Sequence, residues 1–457
     1  MLPTSQENDP ISLDSIRDVL KQAATCMQQK QPKTDEAIKL YDEVIETLQD
    51  ASNDKDEAAR HLLAATWMNK SNVLLSIPNK DQSEDVQKGF QEAIRLFGTL
   101  PIKTKELYVS DAVTLWSSIG QAQIKSNKPN NTEDAIGCFE RAIHLLQLLP
   151  WQGNLQLRAH LIGLWFNIGN AQRLFQGTTR RNAAINAYTH AIVFSQDFPI
   201  ENPQSALLIS NVWMNRASLF SSAQDEEQRK EALFSFEKSI EILKKVGADK
   251  DPNIALHIAR AQANRAKLLS LPKDKANTNA SAIAEAAAEA KKLSEAFIDQ
   301  APMAAENVLN ARLALCQNYC LRLQESKSDE SLNLYEQATD EIDEALSLIH
   351  KCEAKGAKLF RPIARQFFRV GTQLYRSQQP HFLAEFITDS VGTGRPLNDD
   401  PAIVKIAREC IDETIENLTK NNPVTAGSPE AEQLNATLNP LKKILESLPK
   451  EEAPESK

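Results

Sequence analysis

The chain has 457 residues, a net charge of −9 and 42% hydrophobic residues. That composition suits a folded protein, but a single compact core would be oversized at this length, leaving several domains or a solenoid whose core grows linearly. The acidic balance argues against a protein that coats nucleic acid nonspecifically. Met1 to Pro10 has neither a basic start nor an apolar run, so no signal peptide is expected. No stretch approaches about 18 uninterrupted apolar residues, so no membrane span is expected. With few glycines (14) and 21 prolines, long helices are permitted.

Residues 1–12 read as a loose arm. From Ser12 a helix carries Ile16, Val19, Leu20, Ala23 and Met27 at helical spacing. Its partner opens at Thr34-Asp35-Glu36, an N-cap pattern, and carries Ala37, Ile38, Tyr41, Val44, Ile45 and Leu48. The same grammar predicts pairs at 57–77 with 83–98, 104–126 with 132–148, 153–176 with 181–196, and 204–223 with 227–246. Ser83 and Thr132 stand as caps of second helices, while Pro101, Pro150 and Pro199 close them, because proline cannot continue a helix.

Beyond residue 246 the frame continues with altered residues. Ala263-Asn264-Arg265-Ala266 repeats Met214-Asn215-Arg216-Ala217 and pairs with an alanine-rich helix, Ala280 to Phe297. Gln317 to Cys320 pairs with Ser331 to Ile349, and Phe368 to Gly371 pairs with a degenerate helix near 381–390. Residues 391–400 read as a linker; without a preceding strand, Gly392-x-Gly394 does not read as a phosphate loop. Helices over 401–448 are expected to cap the array, and the charged tail 449–457 to be disordered.

The pairs share a period. Trp67, Trp116, Trp165 and Trp213 are spaced 49, 49 and 48 apart, and the second-helix aromatics Tyr41, Phe90, Phe139, Tyr188 and Phe236 follow the same steps, with Tyr335 a further 99 on. Such a period marks a helical repeat array. Trp165, Ile168 and Gly169 with Ala184, Tyr188 and Ala191 resemble the tetratricopeptide repeat, as do Trp116, Ile119 and Gly120 with Ala135, Phe139 and Ala142. The resemblance spans about residues 13–390 and departs in length, since the family unit is about 34 residues. It implies an all-α, right-handed superhelical solenoid of seven to eight antiparallel helix pairs. Small residues (Ser71, Gly120, Gly169, Ala217, Ala266, Cys320, Gly371) would allow close approach, with tryptophan and Phe or Tyr filling the space between pairs.

Catalysis finds little support. None of the seven histidines sits in a His-Glu-x-x-His arrangement, and no serine sits in a Gly-x-Ser-x-Gly elbow. His144 and His190, both on second helices, read as surface or pair-packing residues. Cys316 and Cys320 lie one turn apart without a nearby histidine, so small core residues are the better reading than a metal pair. No enzyme, metal or cofactor is expected, and the scattered cysteines fit a reducing cytoplasm.

An asparagine recurs two residues after the tryptophan position: Asn69, Asn167, Asn215, Asn264 and Asn318, with Ser118 and Arg369 in the other slots. In tetratricopeptide proteins this slot faces the concave groove, so the resemblance implies amides placed to bind an extended peptide backbone. The alternative is that each asparagine bonds a neighbouring helix and sets the stacking. First helices of the second half are poor in acids and carry Arg173, Arg260 and Lys267. Arg361, Arg365 and Arg369 form a stripe opposite Leu359, Ile363, Phe367, Val370 and Leu374. The expectation is an adaptor that holds an extended, acidic polypeptide segment, with no membrane or nucleic-acid partner. The runners-up are a helical-repeat RNA binder using the same basic face and a self-assembling structural protein.

Overall fold

The computed structural model describes residues 12–29, 31–50, 56–77, 83–102, 106–126, 129–221, 225–247, 251–271, 279–325, 330–356, 358–376, 380–392, 394–423 and 428–449. Among these residues the regular structure is entirely helical, and no described helix is long and apolar enough to cross a membrane. The expected arm over 1–11, the tail from 450 and linker residue Thr393 lie outside the described residues. The chain divides into two compact units, Met1–Pro199 and Ile200–Lys457.

The first unit holds four antiparallel pairs: α1 (Leu13–Met27) with α2 (Thr34–Asp50), α3 (Glu57–Ser76) with α4 (Ser83–Phe97), α5 (Glu106–Lys125) with α6 (Pro129–Leu146), and α7 (Leu155–Gln172) with α8 (Thr178–Phe194). The second holds α9 (Pro203–Phe220) with α10 (Glu226–Val246), α11 (Pro252–Leu269) with α12 (Ala280–Ser294), α13 (Pro302–Glu325) with α14 (Ser331–Ala354), α15 (Arg361–Arg376) with α16 (Pro380–Val391), and finally α17 (Pro401–Asn421) with α18 (Pro429–Ser447). These are the expected antiparallel helix pairs, eight among the described residues, followed by two terminal helices. Within each unit a second helix packs on its partner and on the next first helix, and in the second unit α9, α11, α13 and α15 lie side by side.

Caps and prolines set the boundaries. Ser12, Asp56, Asn154, Asn202, Asp225, Asp251, Asp400 and Ser428 each accept a first-turn amide in an otherwise unsatisfied helix start. Thr132 is not a cap. Helix α6 begins three residues earlier, at Pro129, whose fixed φ suits a first helical position, and Thr132 is buried within the helix. Proline also opens α9, α11, α17 and α18.

The small-residue slot works as a seat for the second-helix ring. A Cβ on Gly120 would lie 2.6 Å from the Phe139 ring, and Gly169 and Gly371 bear the same relation to Tyr188 and Phe386. Phe139, Tyr188 and Phe236 are at most 1% exposed, and the Tyr188 hydroxyl donates to Asn170 Oδ1 at 2.7 Å. The tryptophans differ from expectation: Trp67, Trp116, Trp165 and Trp213 are half-buried. Each carries a nitrogen-bearing side chain on or near its ring, namely Lys70, Arg141, His190 and Arg216. An indole is too broad for the slot between two helices and keeps one face at the surface. Tyr335 likewise stays half-buried, edge-on to Tyr375, while Leu334 and Ala338 fill the core.

Two features of the C-terminal region depart from the sequence reading. Leu359 is 64% exposed, and the buried side of α15 is formed by Ala364, Phe367, Phe368, Gly371 and Leu374, preceded by Phe360. The segment after Gly394 is packed: Pro396–Asp399 forms a 3-10 turn, and Leu397 and Asp400 are fully buried. Leu397 joins a core with Phe360, Phe367, Ile387 and Ile403.

Candidate binding faces on the first helices

The asparagine slot lies two residues beyond the tryptophan on each first helix. Asn69 on α3 and Asn167 on α7 are half-buried in the first unit; Asn215 on α9 and Asn264 on α11 are half-buried in the second. Asn318 on α13 is 4% exposed. Among the described residues, Asn69, Asn167, Asn264 and Asn318 make no side-chain hydrogen bond within the protein. Four amides of one slot are thus left with donors and acceptors that reach the surface and are free to meet water or a ligand. The stacking alternative would need those bonds to neighbouring helices.

Charges fall into two sets. Several cations of the first helices are matched by acids elsewhere in the chain, most often on a neighbouring second helix. Lys70 pairs with Asp42 at 2.5 Å, Arg265 with Glu237 at 3.3 Å, and Arg312 with Glu341 at 2.6 Å. Arg216 donates to Glu231 and to Ser235 Oγ, each at 2.9 Å. Two members of the proposed stripe belong to this matched set. Arg361 binds the nearly buried Glu353 bidentately, at 2.8 and 2.9 Å, and reaches Asp399 at 2.5 Å. These carboxylates hold its guanidinium above its usual pKa, with the Glu353 bond the largest cause. Arg365 pairs with Asp400 at 3.0 Å.

Arg173 and Arg369 are exposed, Arg260 is half-buried, and none of the three makes an ion pair among the described residues. Lys267 is half-buried, and burial lowers its pKa against the opposing charge of Glu306. The structure therefore separates Arg173, Arg260 and Arg369, whose charge is unspent, from Arg361 and Arg365, which bind their own chain. Spacing along α15 could not reveal this, since Asp399 and Asp400 lie thirty-five or more residues further on.

The remaining titratable groups offer little chemistry. No group of three or more His, Cys, Asp or Glu is arranged to hold a metal among the described residues. The hydrogen bond with Cys320, and then burial, raise the Cys316 thiol pKa, and burial pushes Cys138 up to about 11, so both stay protonated. His61 Nε2 lies 2.7 Å from Asp111 Oδ2 and its ring leans on Tyr108. His144 and His190 are exposed.

The periodic reading missed two clefts. One in the first unit, about 590 Å³, is walled by Leu74, Val86, Phe90 and Ile119, with the amides of Gln87 and Gln123 beside them. Another, in the second unit, lies between α14, α15 and α16. The residues of each come from successive helices, and only their packing brings these side chains to one hollow.

No family model matches the chain, and no curated protein matches it. Among solved structures it is similar to the apo form of the quorum sensor NprR from B. thuringiensis, at 12% identity over 94% of this chain and 99% of that one, with a TM-score of 0.47. It is also similar to a Rap protein complexed with competence and sporulation factor, at 13% identity over 95% and 100%, with a TM-score of 0.36. A signal-transduction ATPase with a tetratricopeptide repeat sensor, PH0952 from Pyrococcus horikoshii, is similar at 14% identity, with a TM-score of 0.41. This chain covers 90% of itself and 54% of that protein.

Proposed function

We propose that this chain is a non-enzymatic adaptor whose first-helix faces hold an extended, acidic polypeptide segment. The observation that carries the reading is the set of amides at Asn69, Asn167, Asn264 and Asn318 that bond to no other side chain or carbonyl of the described residues. An extended backbone presents alternating N–H and C=O groups, which an amide can meet with both a donor and an acceptor. Acidity follows from Arg173, Arg260 and Arg369, cations without an internal counter-charge on acid-poor helices. Nucleic acid is the poorer occupant. Base stacking wants free aromatic faces, whereas Arg141 lies 4.7 Å over Trp116 and His190 stacks on Trp165 at 4.4 Å.

The reading is tested by selecting from a displayed library of random peptides against the full chain. Enrichment of acidic sequences that bind as synthetic peptides, and more weakly in high salt, is the expected result. Enrichment of basic sequences, or preference for polyuridine over every selected peptide, would contradict it.

A further inference from the structure

The cleft between α14, α15 and α16 has a volume of about 610 Å³. Its walls are unlike those of the first-helix faces. Asp343 comes from α14, and Glu385 and Asp389 from α16; all three are exposed. Arg395 is the cation at its edge and is already engaged by Asp389 at 2.9 Å.

Two buried polar atoms line the same cleft without partners. Ser390 is 1% exposed, and its Oγ makes no hydrogen bond. A helical serine ordinarily returns its hydroxyl to a carbonyl one turn back, as Thr388 does here to Ala384. His350 Nε2 is also buried and unbonded. Burial, followed by the Arg395 charge, lowers the His350 pKa, so the ring is neutral near pH 7 and has an acceptor to offer. Although the residue as a whole is exposed, the partial desolvation of its carboxyl against the cleft wall, and then the charges of Asp340 and Asp389, raise the Asp343 pKa, with a bond from Tyr375 opposing. The cleft is therefore short of positive charge and of donors. The carboxylates and imidazole do not converge as metal ligands, and the exposed Phe382 ring and the half-buried Tyr375 supply an apolar wall.

We infer that this cleft takes the cationic side chain of a partner polypeptide, a lysine or arginine whose alkyl stem lies along Phe382 and Tyr375. Its head donates to Asp343, Glu385 and Ser390 Oγ. The site takes its acids from second helices and none of the asparagine slots lines it, so it does not rest on the reading above.

The test is ligand-observed saturation-transfer NMR on the full chain. The probes are the Nα-acetyl methylamides of lysine, arginine and norleucine, and spermidine as a free amine. The lysine or arginine amide is expected to bind, and the norleucine amide at least tenfold more weakly. Asp343→Asn with Glu385→Gln should reduce cationic binding at least tenfold. Both residues are exposed, so the melting temperature should hold. Ser390→Ala should weaken binding by about threefold. Equal binding of norleucine, undiminished binding by the double variant, or binding of spermidine without either amide would overturn the proposal.

Discussion

Arg365 and Asp400 form one joint between α15 and the start of α17. The guanidinium donates to the carboxylate at 3.0 Å while Asp400 Oδ1 also accepts the amides of Ala402 and Ile403, each at 3.1 Å. Asp400 is fully buried, whereas the Arg365 side chain is 41% exposed. The two substitutions should therefore differ. Asp400→Ala removes a helix cap as well as an ion pair and is expected to cost about 2–4 kcal/mol. Arg365→Ala, whose partner keeps both amides, should cost about half of that. Urea unfolding of the two variants checks the order; a costlier Arg365→Ala would refute the assignment of Asp400 as the anchor.

The glycine seats make a paired expectation. Gly120→Ala drives a methyl into the Phe139 ring and should destabilise by about 1–3 kcal/mol through overpacking. Gly137 lies inside α6 with nothing within 4 Å of its added Cβ, so Gly137→Ala should stabilise by about 0.5–1 kcal/mol through helix propensity. Calorimetric melting of both variants decides, since a loss at each position would show that glycine is kept for another reason.

Tyr188 and Trp165 should not be equal. Tyr188 is fully buried with its hydroxyl bonded, whereas Trp165 is half-buried with an unbonded indole nitrogen and His190 stacked on it at 4.4 Å. Tyr188→Ala is expected to cost about 3–5 kcal/mol, and Trp165→Ala clearly less while still lowering the melting temperature. A Trp165 variant of full stability would show that this ring is not structural.

Acid should loosen the fold before its carboxylates titrate. His257 and His350 are both held below the ordinary histidine value of 6.5, with burial the largest cause in each. When the folded pKa is depressed, the unfolded chain binds protons first as pH falls. The stabilisation is therefore complete above about pH 6.5 and is lost as pH descends toward the folded values. Melting temperature should drop between about pH 7 and 5.5, and His257→Asn should flatten that drop. A wild-type curve flat across this window would contradict the burial argument.

The helix pairs were legible because the signal repeats: a small residue and a ring 19 positions later, as in Gly120 with Phe139 and Gly169 with Tyr188, report one packing solution several times over. Position within a face was less legible. Trp165 and Tyr188 are both large aromatics in repeat-equivalent slots, yet helix spacing leaves one at the surface and buries the other. Least legible was the state of each charge. Arg361, Arg365 and Arg369 read alike along α15, but Glu353 and Asp400 arrive from separate turns and engage only the first two.

The central claim is that the asparagine slot binds a ligand. It is tested by isothermal titration of one library-selected acidic peptide into wild type, an Asn69→Ala/Asn167→Ala variant and an Asn264→Ala/Asn318→Ala variant, each with its melting curve. Each lost amide is expected to remove roughly 0.5–1.5 kcal/mol of binding. At least one pair should therefore weaken the peptide about tenfold or more while its melting temperature stays near wild type. Normal affinity in both variants with earlier unfolding would make the asparagines stacking residues and contradict the account.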